Sequence, residues 1–71
     1  YNIEEIRIPK RMVGKSLREL DIRAQYKINV ISILRNGDVV VSPTPDELLQ
    51  TDDILVTLGK KADLEKLSGL R

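Results

Sequence analysis

The dipeptide Asn36-Gly37 lies between two short β-branched runs and constrains the fold of this chain more than any other feature. Residues 28–34 are apolar on both faces, which is typical of a central strand, and residues 38–41 have the pattern of a returning strand. Asn and Gly both tolerate a positive φ, which the tight turn between two paired strands requires. The segment therefore predicts a β-hairpin and, with it, an antiparallel sheet.

Two further segments have the apolar pattern of strands. Residues 3–8 alternate at their end and stop at Pro9, whose missing N–H ends strand pairing. Residues 54–58 carry apolar side chains at alternate positions, after a polar turn at Thr51-Asp52-Asp53. The sequence thus predicts four strands.

Three segments have the signals of helices. Ser16 and Glu19 match a capping box, which predicts a helix from Leu17 to about residue 25. Thr44 as N-cap, with Pro45 at the first helical position, predicts a second helix of one or two turns through residue 49. Residues 61–67 predict a third helix, with Leu64 and Leu67 inward and a stop at Gly69.

The predicted order is therefore β-α-β-β-α-β-α, a small α+β domain with a mainly antiparallel sheet and helices packed on it. With 71 residues, the chain has room for one domain, residues 1–71, and its first residue is Tyr, which suggests a piece of a longer protein. A chain this small buries only about 60% of its unfolded surface, so a monomer would be marginally stable. Association with a second copy or with neighbouring domains is one remedy.

The absence of Cys and His removes most of the chemistry open to a small protein. It excludes a thiol nucleophile, an imidazole base and a credible zinc site, and the acidic residues lack the close spacing of a calcium loop. We therefore expect neither enzyme activity nor a bound metal. The scattered basic residues and two tyrosines do not predict a nucleic-acid surface. Zero cysteines fit a reducing, cytoplasmic setting, and no transmembrane or signal-peptide pattern is present.

The first predicted helix has an unusual distribution of apolar residues. At about 100° per residue, Leu17, Leu20 and Ala24 share the side that must face the core, and Ile22 and Tyr26 point outward, to nearly the opposite side. Exposed apolar side chains near basic ones suit a partner, or a ligand with flat bases and anionic linkers. Packing of Ile22 and Tyr26 on a neighbouring subunit, with Arg23 solvated, is the alternative interpretation.

Five segments, in order along the chain, resemble the TrkA-C (RCK_C) domain, the C-terminal module of regulators of potassium conductance. They are residues 12–23, 26–33, 36–38, 41–45 and 51–59. The resemblance implies an α+β homodimer attached to a Rossmann domain (RCK_N) or to a transporter's membrane part. It implies a cytoplasmic regulatory role in a potassium channel, a potassium transporter or a cation/proton antiporter.

Some members of this family bind cyclic di-AMP between two copies, with the adenines against an apolar patch and the phosphates on an arginine and an asparagine. By motif position, the patch corresponds to Leu17, Ile22, Ile28 and Pro45 in this sequence. The phosphate contacts correspond to Arg23 and Asn29. Two alternatives stay open: a ligand-free dimerisation module of a larger assembly, and the sensor domain of a transcription regulator.

Overall fold

Four strands and three α-helices follow one another along residues 1–70, the part of the chain that the computed structural model describes. They are β1 (Asn2–Arg7), α1 (Leu17–Leu20), α2 (Ile22–Tyr26), β2 (Asn29–Arg35), β3 (Asp38–Val41), β4 (Ile54–Gly59) and α3 (Lys61–Ser68), with a 3-10 turn at Lys10–Met12. The predicted α+β class is confirmed. Across residues 1–70, the helices lack the length and the apolar character needed to cross a membrane.

The strands form one antiparallel sheet in the order β1-β4-β2-β3. Asn36 and Gly37 have φ angles of 51° and 82°, and Arg35 pairs with Asp38 across the turn. The predicted hairpin is therefore confirmed. The apolar pattern of residues 28–34 has the expected cause, because β2 lies between two other strands.

The core lies on the face of the sheet that the helices cover. Strand register places Ile6, Leu55, Ile33 and Val40 in one row across the sheet. Helix α3 packs against β1 and β4, and its two inward leucines are buried as predicted. The buried apolar residues are Ile6, Ile8, Met12, Ile22, Ile28, Ile33, Leu49, Leu55, Leu64 and Leu67.

The opposite face of the sheet carries apolar side chains that remain at least partly open to solvent. Ile54, Val56 and Leu58 share this face, as predicted, and are half-buried, whereas the alternate residues of β4 are fully buried. Ile3, Val39 and Val41 on the two edge strands are exposed. Strand β4 thus has apolar residues on both faces of the sheet: the alternating set on the open face and Leu55 in the core.

The predicted helix from Thr44 to Leu49 is wrong. Residues 45–49 instead run antiparallel to residues 14–18, with a bridge between Ser16 and Leu48. The Gly14 N–H donates to the Leu49 carbonyl at 2.8 Å, and the Leu49 N–H donates to the Lys15 carbonyl at 2.9 Å. We call residues 14–18 and 45–49 the connecting ladder. Its backbone pairs replace those of a helix, because pairing with a distant segment overrides a local helix signal.

Candidate functional site

The first helix begins where the capping box predicts. The Glu19 N–H donates to Ser16 Oγ, and the Ser16 N–H donates to Glu19 Oε1, both at 3.1 Å. These two bonds satisfy backbone donors that the first turn of a helix leaves unpaired. They fix the start of α1 at Leu17, so the Leu17 side chain projects from a defined backbone position.

Asp21 divides the first predicted helix into two. Its φ and ψ of 49° and 44° are left-handed, so α1 ends there after one turn and α2 begins at Ile22. Asp is one of the few residue types that adopt this region with little strain. The prediction of a continuous helix over residues 17–25 is therefore wrong.

The break at Asp21 also reverses the predicted facing of the side chains after it. Ile22, predicted to point outward, is 3% exposed, and Tyr26 is half-buried against the core. Ala24, predicted to point inward, is exposed. A rotation of 100° per residue holds only within one unbroken helix, and the left-handed residue resets the phase.

A second left-handed residue, Lys27 with a φ of 58°, ends α2 and directs the chain into β2. Ile28, which follows it, is 1% exposed. Ile22, the first residue of α2, and Ile28, two residues after its end, are thus both core residues. Both nevertheless belong to the lining of a groove.

This groove lies between the first two helices, the start of β2 and the segment that follows β3. Its volume is about 310 Å³. All six side chains that the resemblance assigns to a ligand line it: Leu17, Ile22, Arg23, Ile28, Asn29 and Pro45. Arg18, Asp21, Val30 and Pro43 complete the lining. Residues separated by up to 28 positions in the sequence therefore meet in one concavity.

The charged side chains of the groove favour an anion. Arg18, Asp21 and Arg23 line it, so the arginines outnumber the carboxylate. Arg18 Nε donates to Asp46 Oδ1 at 3.1 Å, and both of these side chains are exposed. Arg23 takes part in none of the salt bridges within residues 1–70. Its guanidinium can therefore bind a phosphate without first breaking another ion pair.

The apolar walls and the polar rim suit a ligand that is partly flat and partly anionic. Leu17 and Pro45 offer most of the aliphatic surface against which an aromatic base can pack, since Ile22 and Ile28 are 3% and 1% exposed. Asn29 and Arg23 offer amide and guanidinium donors to phosphate oxygens. The arrangement is one for binding and orienting a ligand.

A cluster around Arg35, outside the groove, is absent from the sequence-based predictions. Arg35 Nε and Nη2 donate to the two carboxylate oxygens of Asp53 at 3.0 and 2.8 Å. The Gln50 N–H donates to the same carboxylate at 2.8 Å. Asp53 is 0% exposed, so Thr51 and Asp52, but not Asp53, are the exposed polar turn residues predicted for this segment. The separation of 18 residues between Arg35 and Asp53 has no local signature that would have predicted this pair.

The environment of Asp53 favours its charged form. Burial by itself raises the pKa of Asp53, but the hydrogen bonds from Arg35 and from the Gln50 N–H, with the nearby positive charge, outweigh burial. The pKa of Asp53 is therefore held below its ordinary value. The hydrogen bonds from Arg35 to Asp53 also raise the pKa of Arg35, against the opposing effect of burial.

Solved structures with the same fold include a ligand-bound potassium transport domain. The RCK C domain of the potassium transport protein KtrA, in complex with cyclic diadenosine monophosphate, is 40% identical to this chain with a TM-score of 0.91. The alignment covers 94% of this chain and 79% of that domain. The RCK_C domain dimer of S. agalactiae BusR with c-di-AMP is 26% identical with a TM-score of 0.80, covering 97% and 91% of the two chains. BusR has also been solved in complex with promoter DNA.

Sequence relatives and the family model agree with this likeness. Ktr system potassium uptake protein C of Bacillus subtilis is 38% identical over 66 residues, which are 93% of this chain and 30% of that protein. This chain thus spans under a third of the length of that relative. The model of the TrkA-C domain matches residues 3–70. This match confirms the resemblance found in the sequence, and the chain belongs to the TrkA-C domain family.

Proposed function

We propose that this chain is a non-enzymatic regulatory domain that binds cyclic di-AMP in its groove and thereby controls a potassium transport protein. The observation that carries the proposal is that one concavity collects all six side chains expected to contact the ligand. The KtrA domain, whose fold this chain shares closely, is bound to that ligand. A channel, a transporter subunit or a cation/proton antiporter is the class of protein regulated.

Each wall of the groove takes a part in this binding. Leu17 and Pro45 supply most of the apolar surface that packs against adenine, and Ile22 and Ile28, which are 3% and 1% exposed, add little. Burial of apolar surface contributes about 25 cal/mol per Å². Arg23 and Asn29 donate to the phosphates. Cyclic di-AMP has two phosphates, so two copies of the chain match its charge, because each lines its groove with Arg23, which makes no ion pair within residues 1–70.

The proposed assembly is a homodimer with the ligand between its two grooves. The BusR domain, a dimer with c-di-AMP bound, supports this arrangement. In the longer protein we expect a Rossmann (RCK_N) domain or a membrane part beside this one, and a cytoplasmic location at the transport complex. A ligand regulates such a dimer only if it binds one geometry better than another, and a tenfold preference corresponds to about 1.4 kcal/mol.

Arg23→Ala is expected to weaken cyclic di-AMP binding by about tenfold or more, because it removes a charge-assisted hydrogen bond to phosphate. Thermal stability should stay close to that of the wild type, because Arg23 is exposed and makes no ion pair within residues 1–70. Isothermal titration calorimetry measures the affinity, and a thermal-shift panel of nucleotides checks the ligand class.

Arg11→Ala is the matched control for this experiment. Arg11 is an exposed arginine that does not line the groove, so its loss changes the net charge equally without touching the site. Equal affinity of the Arg23→Ala variant and the wild type would remove Arg23 from the site. A wild-type dimer that binds none of the nucleotides would instead support a ligand-free dimerisation module.

A sensor domain of a transcription regulator is the second candidate function. The BusR complex with promoter DNA favours it, since a domain of this family is there part of a DNA-bound protein. Both candidates share the same groove and ligand. A helix-turn-helix domain in the full-length protein, in place of a Rossmann or membrane part, would decide for this second candidate.

A further inference from the structure

One wall of the groove belongs to a segment that is held in place from outside the groove. Pro43 and Pro45 line the groove after β3 ends, and Glu47 follows two residues later. We propose that Arg35 and Glu47 are positioning residues, which hold this segment where Pro45 can meet a ligand. The ligand part of this inference rests on the proposed function, whereas the positioning part does not.

Arg35 reaches the segment through two of its nitrogens. Nη1 donates to Glu47 Oε2 at 3.1 Å, and Nη2 donates to the Leu48 carbonyl at 3.1 Å. Nε and a second N–H of Nη2 donate to the two carboxylate oxygens of Asp53. The buried Asp53 carboxylate thus orients the guanidinium, and the guanidinium in turn donates hydrogen bonds to Glu47 and Leu48 of the segment. A planar guanidinium held at both ends has little freedom to move.

The same segment is bound on its other side by the start of α1. The Leu17 N–H donates to the Glu47 carbonyl at 3.2 Å, and the Arg18 N–H donates to the Pro45 carbonyl at 2.7 Å. Leu17, Arg18 and Pro45 all line the groove. A shift of the segment would therefore also change the surface that α1 contributes.

Strand β2 links Arg35 to another part of the groove lining, at Asn29. Arg35 is the last residue of β2, and Asn29, at the groove, is the first. Both ends lie on one strand that is hydrogen-bonded to β4 along much of its length. The Arg35–Glu47 contact therefore ties the segment that carries Pro45 to the strand that carries Asn29.

The environment of the Arg35–Glu47 pair makes it more effective than a surface pair. The two side chains are 17% and 27% exposed, against 69% and 75% for Arg7 and Asp52. Solvent and salt screen partly buried charges less than exposed ones. A wall held in its bound position before the ligand arrives also avoids an ordering cost during binding.

Glu47→Ala and Glu47→Gln together test the positioning role. Alanine removes the contact, and we expect hydrogen exchange at the Leu17 and Arg18 amides to accelerate about tenfold. Glutamine keeps a neutral acceptor for Arg35, so its effect should be smaller. Cyclic di-AMP affinity, measured by calorimetry, should fall about fivefold to tenfold for alanine and less for glutamine.

Asp52→Asn is the matched control, because it neutralises the acid of an exposed pair and leaves the groove untouched. Unchanged exchange at Leu17 and Arg18 in both Glu47 variants would overturn the positioning role, whether or not ligand binds. Faster exchange with unchanged affinity would overturn the link to the groove. If the wild type binds no cyclic di-AMP, the proposed function fails, and the exchange rates alone still decide whether Glu47 holds the wall.

Discussion

Asp53→Ala should lower the free energy of unfolding by about 3–5 kcal/mol, the cost of removing one partner of a buried ion pair. Asp53 is 0% exposed and accepts hydrogen bonds from Arg35 and from the Gln50 N–H. Without the carboxylate, these donors remain in a part-buried site with fewer acceptors. For a domain of this size, about 1 kcal/mol moves the melting temperature by about 4–8 °C, so we expect a fall of at least about 12 °C.

Urea denaturation and thermal melting measure this loss, with Asp52→Asn as the control. Asp52 pairs with Arg7 at 3.5 Å on the surface, so its neutralisation should cost less than about 1 kcal/mol. A loss below about 1 kcal/mol for Asp53→Ala would contradict a stabilising role of the cluster. It would indicate that the segment before β4 relaxes and lets water reach Arg35.

The stability of the wild type should also depend on pH through Asp53. Its pKa is lowered in the folded state, so its contribution is complete above the unfolded pKa, which is about 3.9. The contribution is lost progressively as pH falls below that value and through the lower folded pKa. The stability difference between the wild type and Asp53→Ala should therefore shrink on acidification. A difference that stays constant down to about pH 2 would contradict the pKa assignment.

Ile28→Ala should both destabilise the fold and weaken ligand binding. Ile28 is 1% exposed, packs beside Gly59 and lines the groove, so its truncation leaves a cavity between the core and the ligand site. Large-to-small core substitutions of this kind cost about 2–5 kcal/mol. We expect a lower urea midpoint, and a lower cyclic di-AMP affinity by calorimetry under conditions where the variant is folded.

Ile28→Val and Ile31→Ala are the comparison variants. Valine removes one methylene and should cost about 0.5–1.5 kcal/mol with binding largely kept. Ile31 lies in β2, three residues further along the chain, is exposed and is absent from the groove lining, so its truncation should change the stability and the ligand affinity little. Equal losses of unfolding free energy for Ile28→Ala and Ile31→Ala would contradict the assignment of Ile28 to the core.

Features that depend on neighbouring residues were predictable. The Asn36-Gly37 turn and the Ser16–Glu19 capping box are both present as expected. Helix α3 buries its two leucines and ends at Gly69. The turn and the capping box rest on contacts between residues at most a few positions apart, so a short stretch of sequence carries the whole signal.

Features that depend on distant residues were not predictable from local patterns. Thr44-Pro45 has good helix-start chemistry, yet the segment pairs with residues 14–18, which offer its backbone a different set of partners. The pattern of Ile22 and Tyr26 was misleading because nothing in the sequence places a left-handed residue at Asp21. The six groove residues came from the family resemblance, and their convergence became visible only in three dimensions.

By itself, then, the sequence determined the fold class, the hairpin, the helix start at Leu17 and the family, since local hydrogen bonds and side-chain patterns specify them. Tertiary structure alone decided that Asp53 is a buried ion-pair partner and that Pro45 and Arg23 line one groove. Both outcomes join segments far apart in the chain. Their free energy comes from contacts that exist only after the sheet and the connecting ladder have formed.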